Sequence, residues 1–157
     1  MDKAIRYAFR LLRYRQRSES ELLKYLKQKN FPAKEITQAV IYLKQENLIN
    51  DLRFSRDWIE SRLSKPLGIK RIRQELLNKG IERKIIQQAF SGIEYSEKQI
   101  IQELILKRLQ KLKHESSQKV RRKIFLFLQH RGFDSGQILE QIQETIPQED
   151  ENRYFKS

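Results

Sequence analysis

The sequence predicts an all-α fold, an elongated, curved array of three tandem three-helix repeats. Three observations point there. The segments LKQKNFPAKEITQAV, LLNKGIERKIIQQAF and FLQHRGFDSGQILEQI are variations on one theme, about fifty residues apart. Leu26 answers to Leu76 and Leu128, Asn30 to Gly80 and Gly132, Phe31 to Ile81 and Phe133, and Ile36 to Ile86 and Ile138. The chain holds only five Gly and three Pro, and its β-branched residues are mostly isoleucines at helical spacing. Hydrophobic residues make up 38% and charged residues 34%, enough for a modest helical core but not for a broad sheet sandwich. A repeat of this kind favours an extended binding surface over one enclosed pocket.

The first repeat is expected over residues 1–49. Its first helix covers about residues 3–16. Ser18 and Glu21 have the spacing of a capping box, which starts the second helix. Asn30 ends it, since asparagine tolerates the left-handed conformation found just past a helix C-terminus. Gly80 and Gly132 hold the same place in the other copies. A third helix begins near Pro32, where proline suits the first turn, and runs to about Asn47.

The second repeat is expected over residues 50–93. Asn50 or Asp51 can cap a helix over about 51–64 that carries Phe54, Trp58, Ile59 and Leu63. Trp58 reads as core. The stretch SKPLG is a break, and helices over about 69–79 and 82–91 follow. The third repeat, residues 94–147, has helices over about 96–113, 117–131 and 134–146, with Pro147 stopping the last. Residues 148–157 read as a polar, disordered tail.

The net charge is +13, from 33 basic and 20 acidic residues, and each repeat carries a basic excess. A distributed excess suits a long polyanion, or an acidic protein groove, better than a local anion pocket. At 100° per residue, Arg6, Arg10, Arg13 and Arg17 fall within about 60° of one another on the first helix. Ile5, Ala8, Phe9, Leu11 and Leu12 lie opposite. No acid interrupts the arginine stripe, whereas a merely solvated face usually mixes signs. In the second repeat Lys70 and Arg71 face outward and Arg73 sits at the border, with Glu75 mixed in. In the third, Lys119, Arg122, Lys123 and His130 form another stripe beside the inward Val120, Ile124, Phe127 and Leu128. Phe125 falls outside both faces and is expected against a neighbouring helix, with a partner as the alternative. Basic side chains of this kind contact phosphates or acidic groups without reading sequence.

Nothing in the chain spells catalysis. There is no cysteine, no phosphate-cradling glycine loop and no helical pairing of His114 with His130. Asp51 is expected in a cap, and Asp57 in an ion pair with Arg53 or Arg56. No cofactor, metal or small-molecule substrate is expected. No run is long enough to cross a bilayer, and the charged, amphipathic start lacks a signal core. A soluble, cytoplasmic protein without a membrane partner is the expectation.

The opening AFRLLRYRQRSESELLKYLKQKNF, the junction LINDLRFSRDWIESRL, GIKRIRQELLNKGI and the late KVRRKIFLFLQHRGF stand in an order that resembles the RecX family of bacterial recombinase regulators, over about residues 4–146. The resemblance implies tandem three-helix repeats that lodge in the helical groove of the RecA–DNA filament. It implies a non-catalytic regulator that restrains the recombinase, ATPase and coprotease activities of RecA. Single- or double-stranded DNA would then be met as part of that complex. The candidate contacts are Arg6, Arg10, Arg13, Arg17, Lys70, Arg71, Arg73, Lys119, Arg122 and Lys123. The competing reading is a general helix-turn-helix-like DNA-binding protein acting without RecA.

Overall fold

The computed structural model describes residues 3–146. Among the described residues the chain forms nine α-helices and no strand, as an all-α fold requires. They are α1 (Lys3–Tyr14), α2 (Glu19–Gln28), α3 (Ala33–Gln45), α4 (Asp51–Leu63), α5 (Ile69–Asn78), α6 (Arg83–Phe90), α7 (Glu97–Lys111), α8 (Ser117–His130) and α9 (Ser135–Thr145). Pro147 and the tail 148–157 lie outside the described residues. Helix ends fall within a residue or two of expectation, as fraying ends usually do. Only at α1 does the difference change a reading, described below.

The middle helix of each triplet ends in the same way. Asn30, Gly80 and Gly132 have φ of 57°, 75° and 85°. In each case the next residue's N–H reaches back to close the turn: Phe31 to the Leu26 carbonyl (3.4 Å), Ile81 to Leu76 (3.1 Å) and Phe133 to Leu128 (3.3 Å). These are Schellman turns, with an apolar pair at each closing bond. The repeat seen in the sequence is therefore a repeat of helix termination. Helix starts follow the sequence too. Ser18 and Glu21 form a capping box, Asn50 accepts from the Arg53 N–H (2.9 Å), and Asp134 accepts from the Gly136 N–H (2.9 Å).

By mutual contact the chain divides into two units. One comprises Met1–Lys65 and Arg73–Ile93, the other Pro66–Ile72 and Glu94–Ser157, so the division falls inside α5. In the first unit α1, α2 and α3 pack pairwise around Ala4, Ala8, Leu22, Leu26, Ala39 and Leu43. Farther along, α4 packs on α6 and buries Phe54, Ile59, Ile86 and Ala89. In the second unit α7, α8 and α9 enclose Ile101, Ile105, Ile124, Leu128, Phe133 and Ile138. Each fully buried Leu or Ile contributes on the order of 2 kcal/mol, which makes these small clusters the source of cohesion. Phe125 packs against the second cluster, so it meets neighbouring helices as expected.

Trp58 departs from expectation. It is only half-buried, stacked on Phe54 at 6.0 Å, with Arg62 and Lys79 over its ring at 4.8 and 4.3 Å. Its indole N–H donates to Glu75 (3.0 Å), which also takes Arg62 at 2.7 Å. An indole needs a hydrogen-bond partner, and this one finds it at the edge of the core. Glu75, read from the sequence as an interruption of a basic face, is the acceptor at the centre of this group.

Candidate binding surface

Helix α1 buries Ala4 and Ala8 and presents Arg6, Arg10 and Arg13 to solvent. None of the three has a carboxylate partner among the described residues. Arg10 lies over the Tyr7 ring at 5.1 Å, and Lys29 approaches the same ring at 5.9 Å. Lys29 thus joins the basic face, although it comes from the end of α2. Its local sequence gave no sign of this, because only the chain reversal beyond Tyr14 brings it there.

Arg17 does not belong to that face. Arg17 shares the wheel of Arg6, Arg10 and Arg13 only if α1 continues through it, and the helix stops at Tyr14. Arg17 turns inward instead. Its guanidinium lies over Tyr25 at 4.7 Å, and its Nε donates to the Leu11 carbonyl at 3.5 Å. It is a brace between α1 and α2.

What positions the start of α2 is a contact with residues some sixty places away. The Ser18 hydroxyl accepts from the Glu21 N–H (3.1 Å) and donates to the Lys79 carbonyl (2.6 Å). Asp51 accepts from the Glu19 N–H (2.9 Å), and so caps α2 rather than its own helix. A Cβ on Gly80 would come within 2.2 Å of the Ser20 hydroxyl, so the turn after α5 sits directly on the first turn of α2. Glu21 binds Arg15 (3.0 Å) and Lys79 (3.3 Å). Burial alone would raise its carboxyl, but hydrogen bonds from Arg15, the Ser18 N–H and Lys79 outweigh it and lower the pKa from 4.5 to about 2. Asp51 moves the other way: burial raises it, opposed by the Glu19 N–H.

In the second unit the same contact is built again from different atoms. Gly68 takes the place of Ser18 and donates its N–H to the Arg131 carbonyl (2.9 Å). Glu97 takes the place of Asp51 and accepts from the Ile69 N–H (2.8 Å). Burial raises the Glu97 carboxyl as well, opposed by that N–H. A Cβ on Gly68 would fall 2.0 Å from the Gly132 carbonyl oxygen, and one on Gly132 would fall 2.2 Å from the Arg71 Cβ. Both glycines are needed because backbone meets backbone here. Arg131 also donates to the Pro66 carbonyl (3.1 Å), and Tyr95 to that of Leu67 (2.7 Å).

The remaining candidates divide. Lys70, Lys119 and Arg122 are exposed. Arg71 donates to the His130 carbonyl (3.2 Å), so part of its hydrogen-bonding capacity is used within the fold. Arg73 lies over Phe90 at 4.6 Å, and Lys123 pairs with Glu115 at 2.6 Å. His114 and His130 are exposed, and no three His, Asp or Glu side chains converge as metal ligands among the described residues. Asp57 is exposed and forms no ion pair with Arg53 or Arg56, contrary to expectation; Arg53 instead reaches the Asn47 carbonyl (3.4 Å). Among the described residues no helix is long and apolar enough to cross a membrane.

Models of the first, second and third three-helix domains of RecX match residues 4–43, 50–89 and 96–142. Regulatory protein RecX of Oceanobacillus iheyensis is 36% identical over 99% of the chain, which spans 58% of that longer relative. Regulatory protein RecX of Chlorobium phaeobacteroides is 34% identical over 92% of the chain and 94% of its own length, and that of Haemophilus influenzae 31% identical over 88% and 92%. The crystal structure of RecX from Lactobacillus salivarius superposes with a TM-score of 0.80 at 25% identity, covering 91% of this chain and 94% of that one.

Proposed function

The chain belongs to the RecX family of regulatory proteins, and from that premise we propose that it binds the groove of the RecA–DNA filament and inhibits RecA. Its effect is to restrain the recombinase, ATPase and coprotease activities, and so recombination, DNA repair and the SOS response, in the cytoplasm and without catalysis of its own. The observation that carries this reading is the α1 face. Arg6, Arg10 and Arg13 are exposed and lack carboxylate partners among the described residues. An unneutralised row of guanidiniums is suited to phosphates and to acidic protein surfaces. Several modest contacts from successive triplets would add through effective concentration. Restraint follows if the bound chain favours one filament state, because a ligand shifts an equilibrium only through differential affinity.

The test adds the protein to RecA polymerised on single-stranded DNA and follows ATP hydrolysis and filament length. Both should fall at stoichiometric amounts. The double variant Arg10→Glu, Arg13→Glu should bind the filament at least about ten-fold more weakly, with an unchanged helical spectrum. Unaltered hydrolysis and length, together with tight duplex binding in the absence of RecA, would overturn the reading in favour of a general DNA-binding protein.

A further inference from the structure

We propose that an open groove on the second unit, about 730 Å³ in volume, is a docking site for an acidic peptide segment with an apolar side chain beside its carboxylate. Two guanidiniums carry the argument. Arg108 and Arg131 each lie over the Phe127 ring at 4.7 Å. Neither has a carboxylate partner among the described residues, and the Arg108 Nε is buried with no hydrogen-bond partner. Two like charges held against one ring repel each other, and a half-buried guanidinium is costly unless an anion completes it. The ring interaction offsets part of that cost and, apart from the Arg131 N–H given to the Pro66 carbonyl, leaves planar N–H edges for a ligand. The groove therefore holds positive charge that the described part of the fold leaves without an anion.

The rest of the lining selects the kind of anion. Leu126 is 42% exposed, and the half-buried Leu112 lines the same groove. An aliphatic floor next to paired guanidiniums fits a carboxylate followed by a leucine or phenylalanine side chain. It fits a nucleic-acid strand poorly, since base recognition would use an open aromatic face and Phe127 already carries both arginines. Lys123 also lines the groove but is paired with Glu115, so it is not the anchor. This site shares no residue with the α1 face, and its occupancy does not depend on RecA being the partner.

The experiment uses the full chain and a fluorescein-labelled peptide of alternating Glu and Leu, read by anisotropy. A peptide of alternating Gln and Leu is the control, and oligothymidylate is the competitor. The wild type should bind the acidic peptide at least about ten-fold more tightly than the control. Arg108→Gln and, independently, the exposed Leu126→Glu should each weaken it about ten-fold, and oligothymidylate should not displace it. Equal binding of the two peptides, unchanged affinity in both variants, or displacement by oligothymidylate would overturn the proposal.

Discussion

At the start of α2 and at the start of α5 the chain solves one problem twice. Each middle helix begins against the turn that ends the middle helix of the following triplet. Each has its first N–H taken by a carboxylate from the first residue of the following triplet, Asp51 or Glu97. The residue just before each helix donates to a helix-ending carbonyl, that of Lys79 or Arg131. The chemistry differs. At α2 the donor is a side chain, Ser18, surrounded by the Glu21, Arg15 and Lys79 charges. At α5 the donor is a glycine N–H, and two glycine backbones touch. The repeat preserves the geometry of the contact and not the atoms that make it. The first contact is carried by side chains and charges, with the Ser20 side chain against Gly80; the second is a steric contact of backbone on backbone and has less room to shift.

The largest expected effect comes from forcing these backbones apart. Gly68→Ala places a methyl group on the Gly132 carbonyl and should cost about 3 kcal/mol, as overpacking against atoms that cannot turn away does. Ser18→Ala at the equivalent position adds no bulk. It removes the cap and leaves the Lys79 carbonyl unpaired, a loss of about 2 kcal/mol. Urea denaturation of both variants checks the order. An equal or reversed order would break the distinction between a steric and an electrostatic contact.

Acid should separate the contacts next. The folded pKa of Glu21, about 2, lies below its unfolded value of 4.5. Its contribution is therefore fully present above about 4.5 and is lost as pH falls towards about 2. Asp51 and Glu97 have raised folded values, so ionising them counts against stability as pH rises through the carboxylate range. Glu21→Gln should flatten the acid limb of a stability–pH profile measured by urea denaturation. An unchanged acid limb would remove Glu21 from the account. The smallest expected effect is at the first Schellman turn. Asn30→Gly relieves the left-handed backbone and should stabilise by up to about 1 kcal/mol. The reverse change, Gly132→Asn, should be plainly worse because Arg71 fills the space a Cβ would need.

The particular residues explain what the sequence disclosed. Asn30, Gly80 and Gly132 were legible because a positive φ restricts residue type strongly. Ser18 and Asn50 were legible because caps act over three residues. The inter-triplet contacts were not, because no local pattern says that Ser18 meets Lys79 or that Asp51 serves α2 rather than α4. Arg17 was misplaced by a few residues of extrapolated helix, enough to turn a surface contact into an interior brace. Arg108 and Arg131 escaped notice since one lies on α7 and the other just past α8, and only packing brings both to Phe127.

The central claim, that the α1 face meets the filament, is tested most directly by mapping. A photoreactive residue is placed at Arg10, at Arg13 and, as a control, at the exposed Ile41 on α3. The chain is bound to RecA on single-stranded DNA, and adducts are identified by mass spectrometry. The account predicts adducts to RecA or DNA from Arg10 and Arg13 and few from Ile41. Binding that persists with no adduct from either α1 position, or with equal yield from Ile41, would contradict it.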